Sequence, residues 1–141
     1  MQTFFNNKPL AILAIVAIFS AVIFIVAKRN ITLTPNTTAY TKITAQTAHD
    51  MLETDADITL IDVRQLSEFS AAHIPNAHNV PLDDLTARAP DLLPDKSQPV
   101  MVYCQSGRRS LMAADELVAM GYAHVYDMGG INDWPFEVVS E

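Results

Sequence analysis

Val100-Met-Val-Tyr-Cys-Gln-Ser-Gly-Arg-Arg-Ser110 decides how this chain is read. Its first four residues form a continuous apolar run, the pattern of a strand covered on both faces. The polar Gln-Ser-Gly-Arg-Arg segment then reads as a turn. Residues 110–120 read as a helix offering Leu111, Ala114, Leu117, Val118 and Met120 to the core, and Gly121 stands where a left-handed cap is required. A single cysteine, Cys104, is thereby placed where a buried strand becomes a helix. The amides of Gln105, Ser106, Gly107, Arg108 and Arg109 can curl around its sulfur, Gly107 permits a positive φ, and the helix adds its positive end. An unperturbed thiol near pKa 8.5 is only a few per cent ionised at neutrality. A drop of about two units, roughly 2.7 kcal/mol, would make it mostly thiolate. The alternative is an inert buried cysteine, but a core position has little use for five anion-binding amides and two guanidinium groups.

Outward from this loop, short β-branched runs alternate with amphipathic stretches, the pattern of an α/β domain with a helix-flanked, mainly parallel sheet. Thr44 can cap a helix running to about Glu53. Residues 58–63 read as a central strand, with a short helix over 67–71. Residues 77–80 and 123–127 read as further strands, and a short helix begins at Leu82 with Asp83 and Asp84 in its first turn. Pro90, Pro94 and Pro99 are expected to punctuate a loop, and Gly129-Gly130 to turn the chain toward Trp134. The four histidines are scattered, so no metal site is expected. The lone thiol excludes an internal disulfide and a multi-cysteine cluster.

The amino-terminal part has a different character. Residues 10–27 are apolar except for Ser20, and as a helix they would rise about 27 Å, close to the roughly 30 Å of a bilayer interior. The run ends without the small-x-small site of a cleaved leader, so an uncleaved anchor is expected. The organisation expected is a tail over 1–9, a transmembrane helix over 10–27, a linker over 28–42 and one domain over 43–141. Lys28 and Arg29 lean toward a cytoplasmic domain, while the Thr/Asn-rich linker suits an extracytoplasmic space equally well. From residue 41 onward, six basic residues face sixteen acidic ones, a net of −10. That balance repels nucleic acid and anionic lipid heads.

Taken together, Tyr103-Cys104-Gln-Ser-Gly-Arg-Arg-Ser110, Ile61-Asp-Val-Arg64 with Glu68-Phe69, His73-Ile-Pro-Asn-Ala77, and Asp127-Met-Gly-Gly-Ile131 with Trp134 resemble a single-domain rhodanese, or thiosulfate sulfurtransferase. The resemblance covers residues 44–135. It implies a five-stranded parallel sheet and a catalytic Cys104 that carries sulfur as a persulfide, with no cofactor. The implied partners are a small sulfur-donor anion and a thiol or cyanide acceptor, and a persulfide-bearing protein is a further donor that the same chemistry admits. Residues 105–109 would bind substrate: Arg109 matches the family's loop arginine, and Arg108 would steer the anion. Asp62 is read either as an acceptor that orients the loop or as a bystander to a structural Arg64–Glu68 ion pair. His73 resembles a family position that packs the sheet. Where the family usually carries glycines, this chain has Ala72 and Asn76, so Asn76 is expected to be left-handed and Ala72 to keep a negative φ. Two rival functions remain: a noncatalytic binding module, and a cysteine-based phosphatase or arsenate reductase. The related phosphatases space cysteine and arginine by five residues; here four separate Cys104 from Arg109, a smaller ring.

Overall fold

The computed structural model describes residues 40–141; the expected anchor over 10–27 and most of the linker lie outside them. Among the described residues, no helix is long and apolar enough to cross a membrane. Five parallel strands form one sheet: β1 (Tyr40–Lys42), β2 (Thr59–Asp62), β3 (His78–Asn79), β4 (Val100–Cys104) and β5 (Val125–Gly130), in the order β1-β5-β4-β2-β3. The helices are α1 (Ala45–Thr54), α2 (Leu66–Ala71), α3 (Leu85–Leu92) and α4 (Arg108–Ala119), with 3-10 turns over Leu82–Asp84 and Ile131–Asp133.

The central strand explains the two-layered core. All five residues of β4 are buried, and alternate side chains leave opposite faces. Val100, Val102 and Cys104 join Leu85, Ala89, Ala113, Ala114 and Leu117 of α3 and α4 on one face. Met101 and Tyr103 join Ala48 of α1, Leu60 and Met128 on the other. Cys104 therefore lies at the carboxyl end of the sheet, on the α4 side.

Several expectations hold at residue level. Thr44 caps α1, its side chain accepting from the Thr47 amide at 3.2 Å. Asn76 adopts φ +64 and Ala72 φ −166, and Gly121 has φ +91.

Four expectations require correction. The linker does not extend to residue 42, because Tyr40–Lys42 forms the edge strand β1 against β5. Pro90 lies inside α3 rather than in a loop. The carbonyl of Thr86, four residues earlier, has no amide to accept from, but Thr86 and Pro90 are exposed and water can serve it. Helix α4 begins at Arg108, and its buried stripe is Ser110, Ala113, Ala114 and Leu117, so Leu111 and Met112 face outward. Finally, Gly129-Gly130 ends β5 instead of turning away from it. Val102 pairs with Asp127 but Cys104 with Gly130, so β5 carries one extra residue there.

The phase of α4 gives a direct test. Leu117→Ala, which empties a fully buried position, should lower unfolding free energy by about 2–5 kcal/mol, whereas Leu111→Ala should cost less than about 1 kcal/mol. Denaturant midpoints of the two variants measure this, and equal losses would contradict the orientation of the helix.

Candidate active site

Cys104 closes β4 with 1% of its surface exposed. Gln105 and Ser106 carry the turn, and Gly107 starts α4 at φ +94, a conformation that would strain any other residue. This places the Gly107 amide 3.2 Å from the Cys104 Sγ, donating to it. Burial pushes the thiol up. The backbone amides of Ser110, Ser106 and Gly107 outweigh that and hold it below its ordinary value. The bowl thus differs in membership from the sequence expectation. Among the described residues the Gly107 amide makes the direct hydrogen bond to the sulfur, and the Ser106 amide adds to its stabilisation. Ser110, fully buried and given no role in the sequence reading, favours the ionised sulfur through its backbone amide, while its hydroxyl donates to the Gly107 carbonyl at 3.1 Å.

The loop is held from three sides. From β2, Asp62 is fully buried and accepts from the Arg64 Nε at 3.0 and 2.9 Å and from its Nη2 at 2.7 Å. The same guanidinium donates to the Ala72 carbonyl at 2.6 Å and to the Gln105 Oε1 at 3.0 Å, and lies 5.7 Å from the centre of the Tyr103 ring. Asp62 therefore reaches the loop through Arg64. From β5, Gln105 donates through Nε2 to the Asn132 Oδ1, and its carbonyl accepts from the Asn132 amide at 3.2 Å. Gly130 lies flush against the turn: a Cβ there would fall 2.4 Å from the Gln105 carbonyl oxygen and 2.7 Å from the Ser106 Cα. The extra β5 residue makes this approach possible, and Asp127 steadies it by accepting from the Gly129 amide at 2.9 Å.

From α2, Glu68 receives Arg109 in a two-pronged pair at 2.7 and 2.8 Å. The expected Arg64–Glu68 pair is not formed, because Arg64 precedes the helix and turns back to Asp62. The Arg109 hydrogen bonds hold the Glu68 carboxyl down at about 2, against burial, with help from the Gln65 amide. Arg109 is half-buried in this pair and feels the charge of Cys104, whereas Arg108 is exposed.

The remaining candidates lie apart from the sulfur bowl. His73 is buried and stacked on Phe69 at 3.7 Å, with Nδ1 2.9 Å from the Phe69 carbonyl, so the ring serves packing. Trp134 packs against the face of the core opposite Cys104. Among the described residues, no group of three His, Cys, Asp or Glu side chains is arranged to hold a metal ion. Two open clefts meet at Ser106. One, of about 460 Å³, is lined by Gln65, Leu82, Asp83, Arg108, Arg109 and Met112; the other, of about 490 Å³, runs past Gly107 toward Thr44. The first is lined by two guanidinium groups beside the Cys104 loop.

Comparison with known proteins agrees with this arrangement. Residues 44–136 match the family model of the rhodanese-like domain. The chain is 41% identical over 73 residues to the thiosulfate sulfurtransferase PspE of Escherichia coli, covering 52% of this chain and 70% of that protein. It is 33% identical over 96 residues to the thiosulfate sulfurtransferase GlpE of Tolumonas auensis, covering 67% and 88%. Among solved structures, a rhodanese with anions from E. coli superposes with a TM-score of 0.55 at 36% identity, covering 60% of this chain and 99% of that one. Other relatives are longer proteins, of which this chain spans about half or less.

The Glu68–Arg109 pair predicts a pH window. A carboxyl held low when folded stabilises fully above its ordinary value of 4.5, and that contribution drains away as pH falls toward about 2. The stability difference between the wild type and Glu68→Gln should therefore be constant above pH 4.5 and close near pH 2. Denaturant titrations across this range test it, and a gap that persists unchanged at pH 2 would refute the pairing.

Proposed function

The chain belongs to the rhodanese-like family, and on that premise we propose that it moves a sulfane sulfur from thiosulfate or a similar donor to a thiol or cyanide through a persulfide on Cys104. The observation that carries this reading is the buried Cys104 at the end of the central strand, with the Gly107 amide donating to its sulfur at 3.2 Å.

The reaction runs as two displacements. The Cys104 thiolate attacks the outer sulfur of thiosulfate, the donor's S–S bond breaks, and sulfite leaves with the electron pair. Cys104 then carries a terminal sulfur anion. An acceptor thiolate attacks that sulfur, takes it as its own persulfide, and returns the electron pair to Cys104; with cyanide the product is thiocyanate. In both steps negative charge stays on sulfur, and a fixed set of N–H donors stabilises it without reorganising. Arg109, anchored by Glu68, sets the first turn of α4 and places positive charge beside the sulfur. Arg108, free of such anchoring, fits a role in drawing the anionic donor in along the cleft it lines.

The four-residue spacing from Cys104 to Arg109 and the named sulfurtransferase relatives both support sulfur transfer over phosphoryl transfer. The apolar run over residues 10–27 supports single-pass attachment to a bilayer.

Intact-mass measurement after thiosulfate treatment should show a gain of one sulfur, about 32 Da, which is absent in Cys104→Ser although that variant stays folded. Transfer to cyanide should vanish with it, and any retained turnover would discard the covalent route. Arg109→Ala should lower turnover at least about tenfold, because it frees the helix start that positions the bowl. Arg108→Ala should chiefly raise KM for thiosulfate, and the reverse ranking would interchange the two roles.

A further inference from the structure

A second hollow, of about 410 Å³, opens between the end of α1, the start of β2 and residues 134–137, and none of its lining residues belongs to the Cys104 loop. Its floor is apolar, built from the buried Ile58, Leu60 and Ile74. One wall is aromatic: the His49 ring stacks on Phe136 at 3.8 Å, and Trp134 meets Phe136 edge-on at 5.0 Å. The Trp134 indole N–H donates to the Glu137 carbonyl at 3.0 Å, so its polar end is already engaged. The rim is acidic: Glu53, Asp55 and Glu137 line it, all exposed, and among the described residues His49 is the one basic side chain in the lining.

We propose that this hollow binds a small organic cation, an amine or quaternary ammonium group carried on a compact hydrocarbon body. The argument is one of complementarity. Aromatic faces attract cations through their quadrupole, and here the rings hold one another in place before any ligand arrives. The volume lies within the range of small-molecule sites, and the apolar floor rewards a hydrocarbon body that a hydrated metal ion lacks. An anion would meet three carboxylates inside a domain that already carries net negative charge. A peptide strand would find no free edge, since β2 is paired on both sides by β4 and β3.

Trp134 is the only tryptophan of the chain, so its emission reports on this hollow alone. The full chain, in a non-ionic maltoside, would be titrated with choline and with 3,3-dimethylbutan-1-ol, which has the same shape without the charge. The indole N–H resonance provides a second readout. Choline should produce a saturable change, and the neutral alcohol should bind at least about tenfold more weakly. The double variant Glu53→Gln/Glu137→Gln, altered only at exposed positions, should weaken choline at least about threefold. Cys104→Ser should leave choline binding unchanged, which separates this site from the sulfur bowl. Equal affinity for the two probes, indifference to the double substitution, or no saturable response up to about 100 mM in either readout would each overturn the proposal.

Discussion

A guanidinium group buried at the carboxyl edge of a sheet has to be neutralised and hydrogen-bonded on every side, and Arg64 imposes that demand on much of this fold. With 3% of its surface exposed, it requires a carboxylate within reach. Asp62 provides one from two residues earlier, on the same face of the extended chain. The leftover donors then fix where α2 ends, through the Ala72 carbonyl, and where the turn after β4 goes, through Gln105. Such a pair adds little stability relative to an apolar replacement, yet removing one partner leaves an uncompensated charge that costs roughly 3–5 kcal/mol. Its value is geometric, since one buried cation ties β2, α2 and the cysteine turn into a single arrangement.

That arrangement matters because Cys104 sits under two opposed influences. Removing the thiol from water favours its neutral form, and the core packed around Val102 and Leu117 does so strongly. Ionisation is favoured to the extent that the N–H donors of Ser106, Gly107 and Ser110 are already aimed when the proton leaves. Donors that had to rotate into place would return part of the gain. These clamps therefore act on the thiol indirectly, by holding the turn's backbone still: Arg64 on the Gln105 side chain, Asn132 on both side chain and carbonyl, Gly130 pressed against Ser106, and Glu68 on Arg109.

Local signals in the sequence carried most of the fold and the chemical centre. The strand-to-helix junction at Cys104 and the Thr44 cap each depend on a few adjacent residues, and each was legible, whereas the left-handed Asn76 followed from the family resemblance. What escaped depends on distance or phase. Strand β1 is only three residues long, and Thr41 and Lys42 are exposed, so it shows no apolar pattern; only pairing with β5 makes it a strand. The sequence reading offered Arg64 and Glu68 as a structural ion pair, but Arg64 is still in extended chain, where the neighbour on its face is Asp62. Glu68 was left for Arg109, a partner 41 residues away that no spacing rule reaches. Ser110 was hidden by an error of helix phase: starting α4 two residues late makes Ser110 a boundary residue rather than a buried donor beneath the sulfur.

The burial that opposes ionisation also bears on what the site can do afterwards. A persulfide exposed to water and stray thiols would lose its sulfur to whatever arrived first, and one sealed completely could not deliver it. At 1% exposure Cys104 is shielded from water, with the Gly107 amide already on its sulfur. In the proposed cycle a partner would enter past Ser106, where the two clefts meet and where Arg108 and Arg109 line one of them. In the proposed cycle, selectivity then lies in access more than in reactivity. The thiolate is made reactive by fixed amides that cannot distinguish one acceptor from another, and the discrimination falls to the walls of the two clefts.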